Sequence, residues 1–275
     1  MIDVAFAADE SYAVPLSAAV RSLVESSSEP GRLRVHVLDG GLEPGTRRRL
    51  ARAWAAWGLR YALEPVDPDA LALPPGTTLL SRAMYLRLVV ASVLDPDETP
   101  LVLYLDCDTL VRRDVAPLYR LRLEGAPLAA VRDQFIPSVS SPGSGVAARD
   151  GIAPDAPYFN SGVLLVDVAA WRRLDLGRRC LDYVRRPDAP LRNPDQDALN
   201  AVVHGAWHEL APAWNFMVGQ DGATVFFGGW DGRAADRAHR SAGILHFVGP
   251  VKPWTDGFAD SECGRLYRRV LKRAE

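Results

Sequence analysis

The chain is 275 residues long and nearly half apolar, which suits one large α/β domain or two small ones with a sizeable core. A formal net charge of −2 argues against a nucleic-acid binder, which would carry a basic stripe, and no stretch reaches the roughly 18 apolar residues of a membrane span. Cys107, Cys180 and Cys263 are odd in number and lack paired spacing, so they read as reduced thiols of a cytoplasmic protein rather than as a disulfide framework. Met1 to Phe6 has neither a basic region nor a long apolar run and does not read as a signal peptide.

Asp3 to Ala8 is a short apolar run that predicts a buried strand, broken by Asp9-Glu10-Ser11-Tyr12. Val14 to Ser26 places Leu16, Ala19, Val20 and Leu23 at helical spacing. A strand is expected over Leu33 to Leu38, an arginine-laced helix over Thr46 to Trp57 closed by Gly58, and a third strand over Arg60 to Val66. This strand–helix–strand–helix–strand order predicts an α/β fold with a doubly wound parallel sheet. Leu73 to Leu80 reads as a connector, and Met84 to Leu94 as a helix with Arg87 inside an apolar sequence. Leu101 to Leu105 is the strongest strand signal and runs straight into Asp106; Leu128 to Val131 is another strand, ending at Arg132-Asp133. Ser138 to Pro157 is rich in Ser, Gly, Pro and Ala and has no periodicity, the character of a lid or a disordered loop. Strand character returns over Tyr158 to Val168, and helices follow over Leu174 to Arg186 and Asp195 to His204. Trp214 to Arg240 is irregular, Ile244 to Val248 is a late strand, and a basic helix begins at Ser261.

Asp106-Cys107-Asp108 follows five apolar strand residues. Side chains alternate along an extended chain, so the two carboxylates are expected on one side and Cys107 on the other. The C-terminal end of a buried parallel strand is where open α/β sheets bind ligands, and close carboxylates repel unless a proton or cation compensates. A hard divalent ion such as Mn²⁺ or Mg²⁺ would do so and would bridge a diphosphate. The competing reading is a strand-ending turn.

His246, in Ile244-Leu245-His246-Phe247-Val248-Gly249-Pro250-Val251-Lys252-Pro253-Trp254, suits a third ligand to Mn²⁺, with Gly249 allowing close backbone approach to phosphate and Lys252 neutralising it. Taken alone, the histidine reads first as a hydrogen-bonded core residue. Asn160 and Ser161 stand at the mouth of an apolar strand, able either to bind sugar hydroxyls or simply to turn the chain. Asn193-Pro194-Asp195-Gln196-Asp197 makes a good capping box, with Asn193 as N-cap and Gln196 at the third helical position, and Asp195 and Asp197 would then complement the helix dipole; a functional reading requires one of these two aspartates to face a cleft instead. Ala7 to Tyr12 lacks the Gly-x-Gly-x-x-Gly fingerprint of dinucleotide folds, but Asp9 could accept from a base N–H and Tyr12 could stack on the ring.

Together these segments resemble glycosyltransferase family 8, in particular its bacterial lipooligosaccharide α-galactosyltransferases. The resemblance is carried, in order, by Phe6-Ala7-Ala8-Asp9 with Tyr12, Val37-Leu38-Asp39, Tyr85-Leu86-Arg87-Leu88, Val102 to Asp108, Tyr158 to Leu165, Asp195-Gln196-Asp197, Trp214-Asn215-Phe216-Met217 and His246 to Trp254. It implies a GT-A fold, a Rossmann-like, mostly parallel sheet flanked by helices, in one domain spanning residues 1–275. Residues 1–110 would form the nucleotide-binding half, and 111–275 the half that completes the acceptor and metal sites. It also implies Mn²⁺ (or Mg²⁺) held by Asp106, Asp108 and His246, and a UDP-hexose donor carrying galactose or glucose. Uridine would lie against Ala7, Asp9 and Tyr12, beside Cys107, and the diphosphate against Lys252 and Gly249. Arg87, Asp133, Asn160, Ser161, Asp195 and Gln196 would surround the transferred sugar. Transfer would retain anomeric configuration, with Arg87, Asp133, Asp195 and Gln196 as the catalytic group and Gln196 at the position of a possible nucleophile.

The related galactosyltransferases carry a longer basic, aromatic tail that attaches to membrane; this chain stops at Glu275 after one basic helix, so membrane attachment is not carried over. Gln134 to Pro157 and Val218 to Ser241, which flank the expected acceptor site, do not match, so the acceptor is read only as a sugar or small molecule. The competing functions are a non-catalytic or self-glycosylating sugar-nucleotide binder and a nucleotidyltransferase. The last would need a glycine-rich phosphate loop that Ala7 to Tyr12 does not offer.

Overall fold

The computed structural model describes residues 1–73, 82–146, 151–186, 191–219 and 239–274. The expected alternation is present. Strand β1 (Ile2–Ala8) is followed by helix α1 (Ala13–Ser26), β2 (Leu33–Asp39), α2 (Pro44–Ala56) and β3 (Arg60–Pro65). All seven residues of β1 are buried, as expected of a central strand covered by helices on both faces. Then come β4 (Leu101–Leu105), β5 (Thr109–Val111), β6 (Leu128–Arg132), β7 (Phe159–Asp167), α3 (Val168–Arg173), α4 (Leu176–Val184), α5 (Pro194–Val203), β8 (His208–Glu209), β9 (Phe216–Val218), β10 (Ile244–Phe247) and α6 (Glu262–Ala274).

The main sheet has seven strands in the order β3-β2-β1-β4-β7-β6-β8. Its β4–β7 and β6–β7 pairings are antiparallel and the others parallel, so the sheet is mixed but mostly parallel. From β1 the chain winds outward through β2 and β3, then returns to place β4 on the other side of β1. That reversal is the switch point at which open α/β sheets form their ligand crevice, and β1 and β4 deliver Ala7 and Asp106 to it. A small second sheet, β5-β10-β9, stands at this end. Phe216, Phe247 and Tyr267 pack it against α1 and α6.

Two expectations change. The segment carrying Arg87 is helical over Arg82–Ser92, but in the tighter 3-10 form; the Arg87 Nε–H donates to the Met84 carbonyl one short turn back, at 2.9 Å. Ser138 to Pro157, in its described part, is a packed excursion rather than a disordered loop. Ser138 bridges to Pro157, and Ile136, Val139, Val146 and Ile152 close a small core over Tyr158. Residues 147–150, most of the Leu73–Leu80 connector and residues 220–238 lie outside the described residues.

Asp197 explains much of that order. Its carboxylate is fully buried and accepts from the Tyr158 hydroxyl at 2.7 Å and from the backbone N–H groups of Gly145, Arg192 and Asn193, each at 2.8 Å. It therefore ties the 134–146 excursion to the start of α5. Asp197→Ala leaves two buried donors, the Tyr158 hydroxyl and the Gly145 N–H, and two half-buried ones unpaired, the buried ones each costing about 1–3 kcal/mol. We expect a stability loss of about 3 kcal/mol or more in urea unfolding, with faster amide exchange at residues 135–146.

Candidate active site

β4 ends at Leu105, and the next residues turn rather than continue extended. The Asp106 N–H donates to the Gly162 carbonyl at 2.8 Å, and Thr109 N–H and Oγ return to the Asp106 carbonyl at 3.2 and 2.7 Å. Asp106-Cys107-Asp108 is thus the junction at which the chain leaves the main sheet and enters the second one as β5. The expected separation of side chains survives this turn. The Cys107 thiol donates to the Ala7 carbonyl at 3.2 Å, while both carboxylates face a cleft. Burial, with Asp106 and Asp108 nearby, holds that thiol well above its usual range, so it stays protonated.

The second sheet brings His246 to the turn. Antiparallel pairing sets His246 opposite Thr109, and the Phe247 N–H donates to the Asp108 carbonyl at 2.9 Å. His246 Nε2 lies 3.2 Å from Asp108 Oδ1 and 3.8 Å from Asp106 Oδ2. Asp106, Asp108 and His246 each offer a ligand atom, all within 4.8 Å of one another. Asp108 Oδ1 is buried without a hydrogen-bond donor; the nearby imidazole nitrogen is close enough but not aimed along a hydrogen-bond line. Two carboxylates, one carrying an orphaned oxygen, and one imidazole fit a hard-to-borderline divalent cation such as Mn²⁺, so the donor set suits the expected metal.

The surrounding charges are arranged in pairs. Arg87, buried, grips Asp106 with both terminal nitrogens at 2.8 and 3.0 Å and reaches Asp195 with Nε at 2.9 Å. Burial opposes the charge of Arg87, but the two carboxylates outweigh it and strengthen its hold on its proton. The Tyr104 hydroxyl donates to Asp106 Oδ1 at 2.9 Å. Lys252 Nζ donates to Asp108 Oδ2 at 2.7 Å and to the Phe247 carbonyl at 2.6 Å. The paired aspartates are consequently pushed apart. Burial, reinforced by Asp108, raises Asp106 despite Arg87. Burial also works against Asp108, but Lys252, joined by His246 when its imidazole carries both protons, overcomes it and holds that carboxyl low.

A cleft of about 1080 Å³ opens over this cluster. Every residue anticipated as binding or catalytic lines it except Asp9, whose carboxylate accepts from the Ser11 hydroxyl at 2.5 Å. Tyr12 stands at one wall, edge-on to Trp254 with ring centroids 6.3 Å apart. Gly249, at φ +90°, shapes the loop beside it, a conformation that favours glycine. At the other wall, Asp195 and Gln196 face inward. Gln196 Nε2 donates to Asp133 Oδ2 at 3.1 Å, and its Oε1 accepts from the Ser161 N–H at 3.0 Å. Asp133 Oδ1 accepts from the N–H groups of Phe135 and Ile136, at 2.8 and 2.9 Å.

The capping-box reading of Asn193 is overturned. Its side chain donates to the Gly143 carbonyl at 3.1 Å instead of capping α5. Asp197 takes the N–H groups at the helix start, which leaves Asp195 and Gln196 free for the cleft.

Several residues beyond those anticipated complete the site. Tyr104 was accessible to sequence reasoning, because it lies two residues before Asp106 on the same side of the strand. Gly162 carried a signal too, as a glycine inside a strand marks a close approach. A Cβ built there would sit 2.3 Å from His246 Cε1 and 2.8 Å from Asp106 Oδ2. It belongs to Ser161–Val163, where β7 bulges away from β6 while keeping its register with β4, a device common beside active sites. Asn215, fully buried beside His246, was visible only as part of a matching segment.

A model of glycosyl transferase family 8 matches residues 3–257. The chain belongs to this family. Among its relatives, General stress protein A of Bacillus subtilis is 26% identical over 254 residues, covering 90% of this chain and 85% of that protein. Lipopolysaccharide 1,2-glucosyltransferase of Escherichia coli is 26% identical over 261 residues, covering 92% and 72%. The galactosyltransferase LgtC, solved in complex with donor and acceptor sugar analogs, superposes with a TM-score of 0.81 at 29% identity, covering 99% of this chain and 96% of that one. The GT-A fold expected from the sequence is therefore the fold observed, and the protein is a glycosyltransferase of family 8. Among the described residues, no helix is long and apolar enough to cross a membrane.

The tight seat of Gly162 makes a direct test. Gly162→Ala must displace His246 or Asp106, and we expect Mn²⁺ affinity measured by calorimetry to fall about tenfold or more, the scale of losses seen when a ligand's orientation is disturbed.

Proposed function

We propose that this glycosyltransferase moves a hexose, galactose or glucose, from a UDP-sugar to a sugar or small-molecule acceptor in the cytoplasm, with retention of anomeric configuration. The observation that carries the proposal is the Asp106–Asp108–His246 cluster, with its orphaned carboxylate oxygen, at the floor of a cleft large enough for a nucleotide sugar. We assign uridine to the wall formed by Ala7 and Tyr12, with Asp9 next to it but outside the cleft lining, the diphosphate to Lys252 and the Gly249 backbone, and the hexose to Arg87, Asp133, Asn160, Ser161, Asp195 and Gln196. Residues 1–110 supply most of the nucleotide side and 111–275 complete the metal and acceptor sides. Phe135, Ile136 and Met217, on the cleft lining, offer an apolar platform for the acceptor.

Asp106, Asp108 and His246 would hold Mn²⁺ or Mg²⁺, which when bound supplies charge stabilisation to the departing UDP. Lys252 adds a mobile positive charge on the same side, since its present partner Asp108 is one of the cation's ligands. Arg87 keeps Asp106 and Asp195 in place. Gln196 has both ends of its amide engaged, by the Ser161 N–H and the Asp133 carboxylate. An amide is a weak nucleophile, and one held this way is suited to lining the sugar's face. These features favour a same-face displacement in which the acceptor oxygen bonds to the sugar's anomeric carbon as that carbon's bond to UDP breaks, the acceptor proton leaving on the diphosphate oxygen.

UDP release from UDP-galactose and UDP-glucose without acceptor should depend on added Mn²⁺, and Asp108→Ala should reduce it at least about a hundredfold, several kcal/mol of lost charge stabilisation. Undiminished activity in Asp108→Ala would remove the assignment. Intact-mass measurement after incubation separates transfer to an acceptor from self-glycosylation, which adds hexose mass to the chain.

A further inference from the structure

We propose that Asn215 is a positioning residue that locks His246 in its Nδ1-protonated tautomer, so that Nε2 faces Asp106 and Asp108 as a bare lone pair. The inference rests on the reading of these three residues as a cation site and assigns a role to a residue outside it.

The argument follows hydrogen-bond polarity from groups that leave no choice. The Gly162 backbone N–H can only donate, and it lies 3.0 Å from Asn160 Oδ1. Asn160 therefore presents its carbonyl oxygen there and its NH₂ to Asp133 Oδ2, at 3.1 Å. The same Asn160 oxygen lies 2.9 Å from Asn215 Nδ2, and an oxygen with no hydrogen must receive one, so Asn215 turns its NH₂ toward Asn160. Its remaining atom, Oδ1, has no hydrogen either and stands 3.0 Å from His246 Nδ1. Nδ1 must supply the proton.

Asn215 itself cannot rotate out of this arrangement. It is fully buried at the entry to β9, where its backbone N–H donates to the Pro212 carbonyl at 3.2 Å and its backbone carbonyl accepts from Gln134 Nε2 at 3.5 Å. Parallel pairing of β9 with β10 sets Met217 against His246, bringing the asparagine alongside the ring.

Free imidazole in histidine favours the other tautomer, with the proton on Nε2. Here that proton would lie between His246 and Asp108 Oδ1, where the structure places no hydrogen bond. A lone pair facing two carboxylates is repulsive until a cation sits between them. The tautomer is thus useful only to a metal ligand, in the pattern by which outer partners fix a histidine's orientation and protonation. The same polar chain joins the ligand to Asn160, Asp133 and Gln196, so the sugar side of the cleft and the cation side share one hydrogen-bonded frame.

The test uses the whole chain. Nitrogen NMR of the His246 ring, in metal-free protein at a pH where imidazole is neutral, should show Nδ1 protonated and Nε2 bare. Asn215→Leu should revert to Nε2–H and lose about 10- to 100-fold in Mn²⁺ affinity measured with UDP present. Asn215→Asp, which keeps an acceptor at Nδ1 although it gives up the NH₂ that Asn160 Oδ1 receives, should retain the Nδ1–H form that the leucine variant loses. An Nε2–H tautomer in the wild-type protein overturns the proposal without recourse to any variant. So does Mn²⁺ affinity that falls in His246→Ala yet stays unchanged in Asn215→Leu. Mn²⁺ binding that His246→Ala leaves intact would instead remove the underlying cation reading.

Discussion

Among the described residues, four carboxylates, those of Asp106, Asp108, Asp133 and Asp195, face one cleft whose lining supplies two full cationic side chains, Arg87 and Lys252. With Asp106 and Asp108 offering oxygens within 4.8 Å of each other, their mutual repulsion is about 3–4 kcal/mol at an effective dielectric near 20. The excess of two negative charges matches a divalent ion, and much of the surrounding structure manages that excess. Arg87 is buried to span Asp106 and Asp195, Lys252 is drawn onto Asp108, and Asp133 is satisfied by backbone and amide N–H groups rather than by a counter-ion. Asp106 and Asp195 share one guanidinium, whereas Asp108 has an ammonium and Asp133 only N–H donors.

The topology explains how such a cluster is assembled from distant segments. β4 delivers Asp106 at the switch point of the large sheet, and the Asp106–Asp108 turn hands the chain to a small sheet whose next strand carries His246. The bulged start of β7 slides Gly162 under both ligands and points Asn160 and Ser161 inward. The start of α5 then closes the far wall, held by a buried aspartate that faces away from the cleft.

The fold and the two carboxylates of the candidate cation site were largely legible in the sequence, because both rest on strong local patterns. Five apolar residues before Asp106 announce a buried strand, and the alternating first third of the chain announces a parallel sheet. His246 was legible only through resemblance, since an isolated histidine in an apolar strand gives no sign of what lies across the sheet. What the sequence hid depends on direction. The Asn193-Pro194-Asp195-Gln196-Asp197 segment satisfies the capping-box pattern, yet Asp197 serves the helix start because its longer-range partners, Tyr158 and Gly145, fix it there. Ser138 to Pro157 looked structureless by composition, but its few apolar residues meet over Tyr158, a contact no periodicity reports. Asn215 lies in a matching segment, but its role comes from a chain of donors and acceptors that exists only in three dimensions.

The central claim, that this carboxylate-rich floor is the cation and diphosphate site of a UDP-sugar glycosyltransferase, is tested most directly by a crystal grown with Mn²⁺ and UDP and measured at the manganese absorption edge. The account predicts one anomalous peak among Asp106, Asp108 and His246 Nε2, with the diphosphate on its open side and Lys252 Nζ moved from Asp108 to a phosphate oxygen. UDP bound in the cleft with no peak among those three residues, or a manganese ion coordinated elsewhere, would contradict it.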